Sequence, residues 1–216
     1  MEIKVVSITQ PLIKTPEGRQ LTPEELIVYC ARVSNPTNQL NTETGANLLK
    51  YCINHQHWSI FEQVSFSVEI KTSRAIAAQI LRHKSFSFQE FSQRYSEVTA
   101  MCPVELRQQA DKNRQSSVEV IIDKELQTKV DKHLQDSLDL YDELISRKVA
   151  KECARMVLPL TTETTMYMHG TVRSWIHYIN LRDKPDTQKE HRDVAEAAKA
   201  VFINYFPDCS KALGYV

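Results

Sequence analysis

Glycine is scarce in this sequence and occurs only at positions 18, 45, 170 and 214. Four isolated glycines form neither G-x-G-x-x-G nor G-x-x-x-x-G-K-[ST], so the sequence excludes a Rossmann fingerprint and a P-loop. A nucleotide bound by this chain must therefore be held by side chains and helix ends.

The chain also lacks clustered cysteines, long apolar runs and an excess of charge. Its five cysteines form no C-x-x-C pair, which argues against a zinc ribbon and a disulfide framework. No stretch approaches the roughly 20 apolar residues of a membrane span, and the N-terminal apolar run is too short for a signal peptide. The 27 Lys and Arg residues balance 27 Asp and Glu residues, whereas a protein that coats nucleic acid usually has a basic excess. We expect a soluble, cytoplasmic protein with no membrane, nucleic-acid or metal partner.

The length of 216 residues suits a single domain over residues 1–216. Thr22 and Glu25 form a capping box at the start of one helix, and Ser73 caps another. Periodicity predicts helices over residues 22–33, 43–55, 74–83, 119–149, 173–182 and 187–205. It predicts strands over residues 3–9 and 64–70, possible strands near 93–98 and 161–172, and a loop or exposed insertion over 107–117. The mixture indicates an α+β fold.

The most polar segment of the chain covers residues 79–95. On the predicted helix, Gln79, Arg82 and His83 stand three and four residues apart and therefore share one face. The guanidinium of Arg offers a fork of donors suited to phosphate or a planar heterocycle, and Gln and Ser can read the edge of a base. This segment could hold a nucleotide without a Gly-rich loop. A solvated helix end is the alternative, and composition alone somewhat favours it.

Two further clusters stand out, one with two histidines and one with arginines and a histidine. His55 and His57 precede Trp58, and the simplest interpretation is a pair at a helix C-terminus, where the helix dipole favours positive charge. Arg173 lies nine residues before Arg182, so on one helix the two arginines point to nearly opposite sides. We therefore expect them to address different partners. Surface ion pairs are the alternative.

The order of several motifs resembles that of the flavin-dependent thymidylate synthases. Arg82-His83-Lys84, seven residues and then Ser92 are similar to the family signature Arg-His-Arg, seven residues, Ser. The blocks 57–62, 155–160 and 173–182 resemble the family's other blocks in the same order, and the resemblance covers residues 22–206. Such an ordered set is more specific than any single motif.

The resemblance implies a fold, a reaction and an assembly. The family methylates dUMP to dTMP, with methylenetetrahydrofolate as carbon donor, FAD as hydride source and NADPH as reductant. Its fold packs helices around a small, mostly antiparallel sheet. Its subunits form a homotetramer that shares active sites between subunits, and it uses no protein nucleophile.

The resemblance also implies roles for individual residues. The flavin-binding positions are Ser59, Glu62, Arg82, His83, Lys84, Glu90, Thr171, Val172, Arg173 and His177. The positions that hold dUMP are Gln79, Arg82, Glu90, Ser92, Gln93, Arg94, Arg155 and Arg182. His57 matches a histidine associated with flavin and folate handling. Arg182 is the catalytic candidate, because its counterpart sits against the uracil ring and favours loss of the N3 proton.

Two residues depart from the family pattern, and two other functions remain open. Lys84 stands where a third Arg is usual, so the positive charge is kept but the two-pronged guanidinium is lost. His177 stands where Asn is frequent, and protonation of its ring could make the site sensitive to pH. A nucleic-acid-binding module is one alternative, because Phe86, Phe88 and Phe91 interleave with basic residues as stacking platforms do. A purely oligomeric relative without activity is the other.

Overall fold

The computed structural model describes residues 2–216 and alternates strands with helices. The strands are β1 (Glu2–Ile8), β2 (Ser65–Ser73), β3 (Ser87–Glu90), β4 (Arg107–Gln109), β5 (Ser117–Val120) and β6 (Glu163–Thr171). The helices are α1 (Pro23–Ala31), α2 (Gly45–Asn54), α3 (Arg74–Ile80), α4 (Lys124–Ser146), α5 (Lys151–Ala154), α6 (Val172–Arg182), α7 (Lys189–Tyr205) and α8 (Pro207–Leu213). Short 3-10 turns cover Pro36–Asn38, Trp58–Glu62 and Arg155–Val157.

A four-stranded sheet in the order β1-β2-β6-β3 forms the centre of the fold, and all its pairs are antiparallel. In the central pair, Val68 lies opposite Met168 and Ile70 opposite Met166, and all four side chains are buried. The alternate residues face the other side of the sheet and are more polar. This period of two is the alternation from which the sequence predicted β2.

Helices cover the apolar face of the sheet. Trp175 of α6 stacks on Phe66 of β2, with ring centroids 4.6 Å apart, and Ile27 of α1, Leu49 of α2 and Val194 of α7 join the same core. A smaller apolar cluster connects α4 to the segment before β4, where the Tyr141 hydroxyl accepts a hydrogen bond from the backbone of Val98. The predicted α+β class, with helices around a small antiparallel sheet, is confirmed.

Two strands pass directly into helices. Ser73, the last residue of β2, caps α3 by accepting a hydrogen bond from the backbone N–H of Ile76, and Thr171, the last residue of β6, caps α6 by accepting one from Ser174. A hydroxyl at this position satisfies an N–H that the helix leaves free. Both junctions lack a connecting loop, so each helix starts at a position fixed by the sheet. The capping box of Thr22 is confirmed in the same way.

Two local predictions near the polar segment were wrong. The helix predicted over 74–83 ends at Ile80, so Arg82 and His83 lie in the following turn and not on one helix face with Gln79. No strand forms over 93–98. The strand of this region is β3, which lies earlier in the chain because Phe86 and Phe88 pack against the core and β3 pairs with β6. The loop or exposed insertion predicted over 107–117 is an exposed hairpin, in which β4 and β5 flank a turn over 110–116.

The last helix was not predicted, although Pro207 at its first position and Gly214 after its last residue are local signals for it. The buried carboxylate of Glu24 accepts hydrogen bonds from the backbone N–H groups of Asp208 and Cys209, at the start of α8. A cap supplied from about 185 positions away adds no local sequence signal to these two. Among residues 2–216, no helix combines the length and apolar character needed to cross a bilayer.

We predict that Gly170→Ala destabilises the protein by about 1–3 kcal/mol, because the new Cβ would overlap the buried ring of Phe86. Chemical unfolding of Gly170→Ala, Phe86→Leu and the double variant measures this. A smaller residue at 86 gives the methyl group room, so the double variant should lose less stability than the sum of the two singles. Additive losses would contradict the packing argument.

Candidate active site

The first group of predicted site residues surrounds the C-terminal end of α6. Nε of Arg182 donates a hydrogen bond to Nε2 of His83 over 3.0 Å, and the His83 ring lies edge-on to Tyr178, with centroids 4.9 Å apart. These contacts join the turn after α3 to the end of α6, so residues 99 positions apart in the chain meet. Two blocks that the sequence singled out are therefore in contact.

The His83 ring is neutral at pH 7. Burial lowers its pKa to about 4, and the nearby positive charges of Arg182 and Arg82 act in the same direction. A neutral imidazole has a lone pair with which to accept the Arg182 N–H, whereas an imidazolium would repel it. The geometry and the protonation state therefore agree.

Gln79 lies at the edge of this first group. Its carboxamide oxygen is 3.1 Å from Nδ1 of His191, and its amide nitrogen donates to the side-chain oxygen of Gln188 over 2.6 Å. The sequence missed His191, Gln188 and Tyr178 as members of the site. His191 and Gln79 are 112 residues apart, and no motif or spacing connects them.

The second group lies at the start of α6, at the opposite end of that helix. Arg173 forms an ion pair with Glu62, and both side chains are roughly two-fifths exposed or more. His177 lies edge-on to Trp58, with centroids 4.9 Å apart, and burial together with the charge of Arg173 lowers the pKa of His177. Arg173 thus forms a surface ion pair, the alternative that the sequence left open, whereas Arg182 contacts His83 at the other end of the helix.

The other nearby residues that were assigned to flavin differ in their exposure and in their hydrogen bonds. Ser59 and His57 are exposed, and the His57 ring stands 5.9 Å from that of Tyr51. Thr171 uses its hydroxyl to cap α6. Val172 has a fully buried side chain, and its backbone N–H donates to Val64, so its side chain is unavailable to a ligand.

The third group contains Ser92 and Arg94. They line an open cavity of about 420 Å³ together with Tyr95, Ala150, Lys151 and Glu152. Arg94 pairs with Glu152 over 3.0 Å, and both side chains are more than half exposed. Arg182 is not among the residues that line this cavity. The hydrogen bond of Arg182 to His83 is thus a contact outside this lining.

Several polar groups near these clusters have no partner in the part of the chain that the structure describes. Nε of Arg155 is buried without a hydrogen bond. Arg82 and Lys84 are exposed in the turn before β3 and form no ion pair with any residue from 2 to 216. Unpaired cations of this kind suit phosphate or carboxylate groups of a ligand.

Glu90 and Gln93 differ in their surroundings. The Glu90 carboxylate accepts hydrogen bonds from Arg74 over 2.6 Å and from the Thr164 hydroxyl over 3.0 Å, and its side chain is only 16% exposed. Gln93 is buried. The sequence missed Arg74, which it treated only as the first residue of a helix. Arg74 fixes the position of Glu90 at the end of β3.

Comparison with known proteins gives one consistent result. A family model described as thymidylate synthase complementing protein matches residues 19–208. The chain is 51% identical over 220 residues to a probable flavin-dependent thymidylate synthase of Paramecium bursaria Chlorella virus 1, with 100% of both chains covered. It is 48% identical over 216 residues to the flavin-dependent thymidylate synthase of a Synechocystis species, with 99% of each covered.

A solved structure has the same fold. It is a UMP/dUMP methylase, PolB from Streptomyces cacaoi, determined with 5-Br dUMP bound. The TM-score is 0.82 at 24% identity, and the match covers 99% of this chain and 94% of that one. At this identity the likeness establishes the shared fold.

The low pKa of His83 predicts how stability depends on pH. Between its ordinary pKa of 6.5 and its folded value of about 4, the unfolded chain binds a proton that the folded chain does not. The free energy of unfolding should therefore fall as the pH is lowered from about 6.5 towards 4. Urea unfolding at pH 7 and pH 5 should show a smaller fall for His83→Gln than for the unchanged protein.

The matched control is His133→Gln, because His133 is an exposed histidine on α4. This variant should keep the pH dependence of the unchanged protein. Equal pH dependence in His83→Gln and His133→Gln would show that His83 is not held neutral by its surroundings.

Proposed function

Because the chain belongs to the flavin-dependent thymidylate synthase family, we propose that it methylates dUMP to dTMP with methylenetetrahydrofolate, FAD and NADPH. The observation that carries this proposal is the contact between Arg182 and His83. It joins the Arg-His signature block to the last family block at one point of the surface. The match of the family model over residues 19–208 supports the same reaction.

The residues present fit FAD without a Gly-rich loop. Arg82 and Lys84 have no ion-pair partner among residues 2–216 and can meet the cofactor's phosphates. Bound FAD supplies redox chemistry that no side chain of this fold offers. The residues that would hold it are Ser59, Glu62, Arg82, His83, Lys84, Glu90, Thr171, Arg173 and His177. His57 would lie at the flavin and folate side of the site.

The dUMP site would use charge at both ends of the nucleotide. The unpartnered Nε of Arg155, together with Ser92 and Arg94, suits the phosphate. Gln79, Gln93, Glu90 and Arg182 are the candidates to hold the nucleoside. A uracil that loses its N3 proton beside the Arg182 guanidinium becomes more nucleophilic at carbon 5. One preorganised donor of this kind contributes about 3–4 kcal/mol in a site that excludes water.

No cysteine is required as nucleophile in this scheme. Burial raises the pKa of the Cys52 thiol, and it raises that of Cys209 further. Cysteines of this kind are poor nucleophiles because the thiolate is the reactive form. The chain's own contribution is therefore placement and electrostatics.

A second copy of the chain would complete the site. Arg182 does not line the cavity that Ser92 and Arg94 share, although both arginines are assigned to dUMP. Tyr95, Met156 and Leu160 are more than two-thirds exposed and flank the dUMP-assigned residues Arg94 and Arg155. Exposed apolar side chains beside a ligand site are typical of a protein interface. We propose a homotetramer with shared active sites, built from single-domain subunits in the cytoplasm.

The alternative of a nucleic-acid-binding module loses its main support. Phe86 is buried and Phe88 packs against the core, so neither ring is free to stack on a base. The alternative of an inactive oligomeric relative is tested by turnover.

We predict that the purified protein binds FAD and turns yellow, and that Arg182→Ala lowers dTMP formation by about 100-fold or more with flavin retained. The reason is that Arg182 would stabilise charge on the uracil ring and not hold the cofactor. The measurements are the visible spectrum and a dTMP assay. Arg114→Ala, which removes an exposed arginine near the hairpin turn, should keep both properties.

A colourless protein that ignores added FAD would refute the function. Loss of flavin in Arg182→Ala would instead refute the role of Arg182. Full activity in that variant would have the same consequence.

We also predict that two inactive variants complement each other. If Arg94 and Arg182 reach one site from different subunits, mixed oligomers of Arg94→Ala and Arg182→Ala contain some sites with both arginines. Co-expression with two different tags and purification through both should yield more activity than either variant alone. Mixed oligomers as inactive as their parents, or an unchanged protein that is active as a monomer, would contradict shared sites.

A further inference from the structure

We propose that His191 is a positioning residue for dUMP that acts through Gln79. The inference rests on the proposed function and on a hydrogen-bonded chain that runs from Glu190 through Gln188 and Gln79 to His191. No sequence motif assigns a role to any of these four residues except Gln79.

Glu190 fixes the direction of the chain. Arg107 donates a hydrogen bond to its carboxylate over 2.5 Å. Burial raises the pKa of Glu190, but the hydrogen bonds from Arg107, the backbone and Gln188, together with the charge of Arg107, bring it below its ordinary value. An ionised carboxylate only accepts hydrogen bonds. The side-chain nitrogen of Gln188 therefore donates to Glu190 over 2.9 Å, and the Gln188 oxygen is left to accept.

The same logic orients Gln79 and His191. The Gln188 oxygen accepts from the Gln79 amide nitrogen, so the Gln79 oxygen must face His191. A carboxamide oxygen only accepts, so Nδ1 of His191 carries the proton. The His191 ring is fully buried. Burial lowers its pKa to about 3, helped by the charge of Arg182 and by the charge that His83 gains only at low pH. His191 therefore stays a neutral Nδ1–H donor at pH 7.

This arrangement decides what Gln79 can present to a ligand. Each end of the carboxamide keeps one free hydrogen-bonding position, because its nitrogen has two hydrogens and its oxygen two lone pairs. A carboxamide that flips would exchange donor and acceptor. The Nδ1–H of His191 prevents the flip, since a flipped amide would point its NH₂ at a donor. A pyrimidine edge therefore meets one fixed pattern of donor and acceptor.

The experiment compares His191→Asn with His191→Leu in the FAD-loaded enzyme. The two side chains have similar shape, but only Asn can place an N–H near the position of Nδ1. We expect His191→Leu to raise the KM for dUMP about tenfold, the effect of losing one hydrogen bond. The KM for methylenetetrahydrofolate and the flavin content should stay unchanged. His191→Asn should stay within about threefold of the unchanged protein.

Gln79→Ala supplies the test of mechanism. In this background His191→Leu and His191→Asn should bind dUMP equally, because the group that His191 orients is gone. Equal losses for Leu and Asn in the unchanged background would overturn the inference in favour of a packing role. A difference that persists in Gln79→Ala would overturn it too, because His191 would then act by another route.

Calorimetric binding of dUMP separates this inference from the proposed function. A protein that forms no dTMP would refute the function, and the dUMP affinities of the same variants would still decide the role of His191. A protein that binds no dUMP overturns the inference as well. If His191→Leu does not fold, His191→Gln replaces it, because its amide reaches the Nε2 position and should weaken dUMP binding as Leu does.

Discussion

The candidate site depends on a neutral imidazole that accepts a hydrogen bond from a guanidinium. A carboxylate partner would fix the direction of the Arg182 guanidinium but would also cancel its charge. His83 fixes the direction and leaves the full positive charge for a ligand. Burial keeps His83 neutral, and Arg182 itself helps by lowering the pKa of that ring. A cation oriented in this way is suited to stabilise an anion that forms during a reaction.

The sheet holds this contact in place. β2 and β6 are paired along their whole length, and each passes into a helix through a hydroxyl cap, at Ser73 and at Thr171. Because the strands are antiparallel, the two helices start at opposite ends of the sheet. α6 ends at Arg182, where it meets the turn that follows α3. Functional side chains on such elements are held more precisely than on long loops.

Sequence patterns correctly predicted the helices and strands that depend on local periodicity or on a local cap. The strand over Ser65–Ser73 and the helices begun by Thr22 and Ser73 belong to this class. The patterns failed where a distant residue decides the structure. β3 forms because β6 is beside it.

The residues of the candidate site also fall into those that the sequence could identify and those that it could not. Arg182 and His83 could be selected from the ordered blocks, although their contact could not. His191 and Arg74 could not be selected at all, since each enters the site through one hydrogen bond to a residue from another part of the chain. A single sequence contains no record of such pairs. They become visible only when the sheet and its helices are assembled.

Under the proposed function, the two departures from the family pattern would keep the hydrogen-bonding character of the site. His177 stands where other members often carry Asn, and the lowered pKa of His177 keeps its ring neutral at pH 7. A neutral imidazole has one donor and one acceptor, as an amide does, so the expected pH sensitivity moves below neutral pH. Lys84 is exposed, so its flexible ammonium can follow a phosphate that a planar Arg fork would bind in one geometry. Under the proposed function, the charge that a nucleotide cofactor needs would therefore be retained without a third Arg.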